Sequence, residues 1–182
     1  MNPTYRVSSI LKGLCLGFQI LSVGIALFSL WAFFGLNMTD QMMDVYWARL
    51  SEDARAAVTY SPTKKVILQS LAAVSFFAPV LILIGAFRVF AALKGGDPFR
   101  PQSVRSVRFL GASIVAYAIS RIVIYPVSVI AMTYDNPKGL KELSIAIDTN
   151  TLVVLMIGVI LVIVGHVFTH AATLADENRQ FV

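Results

Sequence analysis

Arg121 stands inside a long apolar stretch, with Tyr117 four residues before it and Tyr125 four residues after. Ser113 and Ser128 extend the same helical face, and Ser120 borders it. A guanidinium among phenols and hydroxyls suits either the holding of an anion or pairing with a carboxylate. A charge at the centre of a bilayer costs at least ~2.5 kcal/mol, so it faces the protein interior and finds a partner. Asp148 and Asn150 open the next apolar stretch and are the groups an antiparallel neighbour brings toward that depth; Glu142 lies farther out. The expected contact is an Arg121–Asp148 pair helped by Asn150 and Tyr125. It reads either as a buried ion pair that fixes helix register or as a ligand pocket that opens outward.

A second polar group, His166, Thr169, His170 and Thr173, shares one face of the last stretch. Two histidines four residues apart are spaced to hold one metal, but no glutamate completes an H-E-x-x-H pattern and no third ligand is evident. Gln19 and Ser113 are expected at a comparable depth, within hydrogen-bonding reach of His166. The readings are a metal site, a haem ligand, or histidines satisfied by interior or interface hydrogen bonds; no metal and no cofactor is expected. A third set, Arg100, Arg105 and Arg108, is basic and precedes an apolar run, as residues that meet lipid phosphates do. A membrane enzyme needs a nucleophile, a carboxylate pair or a metal cluster at one depth. The two polar groups here lie toward opposite leaflets, so catalysis is not expected.

These side chains must be positioned by four apolar segments, at about 13–36, 66–90, 107–132 and 152–173. Each exceeds the ~18–20 residues that carry a helix across a ~30 Å hydrocarbon core. Of the 182 residues 57% are hydrophobic and 14% charged, well below the ~25% charged residues of a soluble domain. The expected fold is therefore all-α: a single integral membrane four-helix bundle filling residues 1–182, with the bilayer as its first partner. The net charge of +5 does not point to nucleic acid, because the basic residues gather at span ends. The single Cys15 excludes an internal disulfide and reads as a packing residue. The first apolar run is longer than a signal peptide's and lacks an A-x-A site, so it is expected to be a retained span.

Orientation follows from Arg and Lys in the short connections. Arg6 and Lys12 precede span one; Arg88, Lys94, Arg100, Arg105 and Arg108 surround the second connection against Asp97 alone. The other two connections mix their bases with acids. Both termini and the middle loop are thus expected on the cytoplasmic side. In the first outer loop, Met43, Trp47, Leu50, Ala54 and Val58 recur at helical spacing and predict an amphipathic helix over Thr39–Val58 that lies on the bilayer or caps the bundle. Asp135-Asn136-Pro137-Lys138-Gly139 predicts a turn, with the fourth helix starting soon after it. Gly13 and Gly17, and Ala112, Ala116 and Ser120, are expected to pack helices within the chain. Pro79 and Pro126 are expected to kink theirs.

Lys94-Gly95-Gly96-Asp97-Pro98-Phe99 follows Phe87-Arg88 and leads into Arg105, Arg108 and Gly111. Farther on come Gly165, Val167-Phe168 and Leu174-Ala175-Asp176-Glu177-Asn178. This pattern resembles a bacterial four-span family catalogued as domain of unknown function 2975; the last residues, Arg179 to Val182, depart from that family's usual ending. The resemblance implies a bacterial inner-membrane protein and supplies no catalytic residues. The reading that fits best is a non-enzymatic regulatory, sensory or accessory subunit acting through a membrane-protein partner. The alternative is a small transporter or ligand-binding protein using the face around Arg121, which as a transporter requires a homo-oligomer.

Overall fold

The computed structural model of the chain describes residues 9–35, 44–59, 61–94 and 101–180. Its long helices are α1 (Ser9–Gly35), α3 (Pro62–Lys94), α4 (Pro101–Thr133) and α5 (Thr149–Gln180), with a short α2 (Glu52–Ala57) before α3. All four long helices are apolar and long enough to cross a membrane. At 33 residues each, α3 and α4 run for roughly 50 Å, well beyond the segments counted from hydropathy. Their polar ends continue the helix outside the apolar runs, and α4 meets no further proline after Pro126 until Pro137.

Packing follows chain order: α1 lies on α3, α3 on α4 and α4 on α5. Phe18 stacks on Phe90 at 4.8 Å, and Phe33 meets Phe76 and Phe77 at 4.7 and 5.1 Å, which joins α1 to α3 through aromatic faces. Farther along, glycines set the approach. A methyl added to Gly85 would stand 2.9 Å from the Leu110 Cα, and one on Gly111 would stand 2.7 Å from the Val162 backbone nitrogen. Gly158 in turn faces Ile114 and Val115. Missing side chains thus let the α4 and α5 backbones touch. The small residues singled out from sequence do not play this part. Gly13 and Gly17 meet no described atom within 4 Å, and Ala112 and Ala116 are exposed. Both α3 and α4 continue as helix through Pro79 and Pro126.

The Gly111–Val162 register sets Thr149 opposite the level of Ile124, nine residues and roughly 14 Å short of the end of α4. The fourth long helix does not follow the turn directly, as the sequence pattern had predicted. Pro137 and a left-handed Gly139 (φ 98°) close the turn, and residues 140–148 then return along the bundle without helix.

Candidate functional site

The end of the bundle that carries residues 44–59 and 134–148 is built as a cap. A helical turn at 44–47 and α2 are separated by a bend at 48–50, so the amphipathic segment is two short pieces rather than one helix; residues 39–43 lie outside the described ones. Ser51 ends the bend and caps α2, its hydroxyl accepting the Ala54 N–H at 3.2 Å. Arg55 reaches back and donates to the carbonyls of Leu50 (2.8 Å) and Ala48 (2.9 Å), satisfying the broken turn. Leu50 then packs with Leu68, Val129 and Met132, beside Tyr46, Val58 and Tyr125. The bend therefore serves burial: it turns Leu50 and Ala54 inward together.

Three polar side chains, Lys64, Asn136 and Glu142, fasten the cap. Lys64, only 2% exposed, donates to the Met132 carbonyl at 2.8 Å and pairs with Asp135 at 2.5 Å. Its ammonium also lies 5.3 Å from the Tyr134 ring centre. The Lys64 hydrogen bond holds the Asp135 carboxyl below its ordinary value against a smaller upward push from desolvation. Asn136, also buried, donates its amide to the carbonyls of Ala54 (3.1 Å) and Leu140 (3.0 Å). Glu142 accepts the Ser51 N–H, and its own N–H reaches the Thr133 hydroxyl at 3.2 Å. From sequence, Lys64 and Asp135 are only two charges among many in mixed loops. Their signal is positional: each flanks a long helix, so an antiparallel pair brings them level.

Beneath the cap lies a cavity of about 380 Å³, lined by Val45, Tyr46 and Arg49 of the cap, Ser75 of α3, Tyr117, Arg121, Ile124 and Tyr125 of α4, and Ala146, Asp148 and Thr151. Arg121 Nη2 donates to Asp148 Oδ2 at 3.1 Å. The pair is not buried: the two side chains are 40% and 52% exposed and form a wall of the cavity. Asp148 is also the cap of α5, its other oxygen accepting the Thr151 N–H. Hydrogen bonding from Thr151, by side chain and then backbone, holds the Asp148 carboxyl below its ordinary value, and the charges of Arg121 and Arg49 add to the effect. Arg49 stands 5.3 Å from the Tyr125 ring centre and Arg121 6.0 Å from that of Tyr117. The Tyr125 hydroxyl reaches Ser144 Oγ at 3.4 Å. Pro79 removes the helical donor from the Ser75 carbonyl on the opposite wall.

The cavity thus gathers Arg121, Tyr117, Tyr125 and Asp148, and adds Arg49, Tyr46 and Thr151, which the sequence reading passed over. Asn150 is exposed and makes no hydrogen bond among the described residues; Thr151 takes the place proposed for it. On the same face of α4, Ser113 and Ser128 are buried, and Ser113 is hydrogen-bonded to the Phe109 carbonyl.

The histidine cluster is not assembled as proposed. His166 and His170 contact each other, Nε2 to Nε2 at 3.2 Å with the rings edge to face, on an exposed part of α5. Gln19 is on α1, which packs against α3, and no hydrogen bond joins it to His166; Ser113 instead donates to the Phe109 carbonyl at 2.8 Å. No group of three metal-ligating side chains occurs among the described residues. Of the three arginines, Arg100 lies outside the described residues, Arg108 passes beside Gly165, and Arg105 lines a groove between α3 and α4. A family model described as protein of unknown function (DUF2975) matches residues 4–180. No curated protein and no solved structure matches the chain.

Proposed function

The chain belongs to the DUF2975 family of proteins of unknown function, and on that premise we propose that it is a non-enzymatic sensory or accessory protein of the bacterial inner membrane, receiving a small anionic ligand in the cavity beneath its cap. The reading rests above all on the convergence of Arg49 and Arg121 on one open cavity that contains a single carboxylate, Asp148. Arg49 makes no ion pair among the described residues and rests on an aromatic face, so a guanidinium stands available to an incoming carboxylate or phosphate. Val45, Ile124 and Ala146 provide apolar wall beside it, the mixture that small-molecule sites use.

Asp148 is a poor general base. Both its oxygens are engaged, and its environment favours the ionised form rather than one that takes up a proton near neutrality. The charge pattern supports a cytoplasmic location for both termini, which turns the cap and its cavity outward. α1 leaves most of its apolar side chains exposed, Leu14, Ile20 and Leu21 among them, a surface that lipid or a membrane-protein partner can cover.

The test is thermal unfolding of the purified chain in detergent with inorganic phosphate, succinate, citrate and octanoate as probes. At least one should raise the unfolding temperature, with a stabilisation of about 2–3 kcal/mol at 100 times its Kd. Arg49→Gln and Arg121→Gln should each reduce that shift. If no anion acts, or if both variants respond as the wild type does, the cavity is not an anion receptor.

A further inference from the structure

At the other end of the bundle a second cavity, of about 400 Å³, lies between α3 and α4. Phe87, Arg88, Ala91 and Ala92 line it from α3, and Gln102, Arg105 and Ser106 from α4. It shares no residue with the cavity under the cap. We infer that this groove binds the phosphate-bearing head of an acidic phospholipid, with Arg88 and Arg105 as its two cationic contacts.

The inference starts from charge. Arg88 and Arg105 come from different helices, line the same cavity and make no ion pair among the described residues. Two guanidinium groups that line one cavity with no carboxylate among its described lining residues repel each other, and an anion between them removes that cost. Arg88 is already oriented, its guanidinium 4.9 Å from the Phe109 ring centre. Neighbouring polar groups fit a phosphate as well. The Ser106 hydroxyl donates to the Gln102 main-chain carbonyl at 2.9 Å, and Gln102, which also lines the groove, carries a side-chain amide that can donate. Ala91 and Ala92 have too little side chain to fill the space between the helices.

A lipid is favoured over a soluble phosphate by what adjoins the groove. Leu81, Ile84 and Phe87 follow one another at three-residue spacing along α3, and all three are exposed. They form an apolar track that starts at Phe87, in the wall of the groove, and leads away from the arginines toward the middle of the helix. A head on the arginines thus has its acyl chains directed along a surface made for them. Basic pockets between membrane helices are a recurrent form of phospholipid site. Arg88 could not have been assigned to such a site from sequence, where it reads as one more span-end charge.

The experiment is native mass spectrometry of the full chain released from nanodiscs containing equal phosphatidylglycerol and phosphatidylcholine. The wild type should retain phosphatidylglycerol preferentially. Each of Arg88→Gln and Arg105→Gln should weaken its retention about fivefold, and the double variant about 30-fold. Lys141→Gln, which removes an exposed cation at the opposite end, should leave it unchanged. Ala92→Trp, which fills the groove and spares both arginines, should also abolish the preference. Phosphatidylglycerol retained by the double variant and by Ala92→Trp would overturn the assignment. Equal displacement by millimolar glycerol 3-phosphate would overturn the lipid specificity, marking the groove as a site for soluble phosphate.

Discussion

Lys64 shows how much one residue's position decides. A buried ammonium is tolerated because the Met132 carbonyl and Asp135 both accept from it, whereas an unpaired charge in the same place is strongly unfavourable. The two halves of the pair are therefore unequal. Asp135→Ala strands a buried charge on a single carbonyl and should lower the unfolding temperature in detergent more than Lys64→Met, which removes the charge and keeps the volume. The reverse order would show that the pair does not carry the cap. The pH dependence has a definite sign. A carboxyl whose folded pKa is lowered below 3.8 contributes stability that is present above about pH 4 and is lost as pH falls through the folded value. The gap between wild type and Asp135→Asn should close in strong acid and stay constant from pH 5 to 7. Sequence could not single out Lys64 or Arg49, because a loop lysine or arginine has no periodicity to separate it from a solvated one. Arg121 could be singled out, since a charge inside an apolar run is conspicuous, and its pairing with Asp148 follows from antiparallel neighbours. Its exposure could not, because that depends on where the next helix begins.

Element boundaries explain that gap. The apolar runs located four helices, but hydropathy ends where lipid ends and a helix ends where its hydrogen bonding is broken. Pro137 and Gly139 break α4 as the turn pattern said. Residues 140–148 then run without helix, with Leu143, Ile145 and Ile147 exposed, and α5 waits for its cap at Asp148. The contact glycines were equally hard to read in advance, since a glycine facing a helix and one facing lipid look alike in sequence. Their roles separate by substitution. Gly111→Ala drives a methyl into the α5 backbone and should destabilise the protein by about 1–3 kcal/mol. Gly17→Ala, whose methyl meets nothing within 4 Å, should leave stability unchanged or raise it by up to about 1 kcal/mol in a monomeric micelle. Equal effects at both positions would contradict the glycine contacts described between α4 and α5.

For the whole molecule the first question is orientation. A periplasm-active reporter fused after Asn136 should be active and one fused after Gly96 silent, which places the cap outside and the two-arginine groove on the inner leaflet; the opposite result exchanges the two faces. The late start of α5 has a further consequence for the membrane itself. Because α5 begins roughly 14 Å lower than α4 ends, the flank above Thr149 is made by the non-helical residues 140–148, which expose Leu143, Ile145 and Ile147. Irregular backbone is not tolerated where it faces hydrocarbon, so this strip belongs at the level of the interface, where water reaches its N–H and C=O groups.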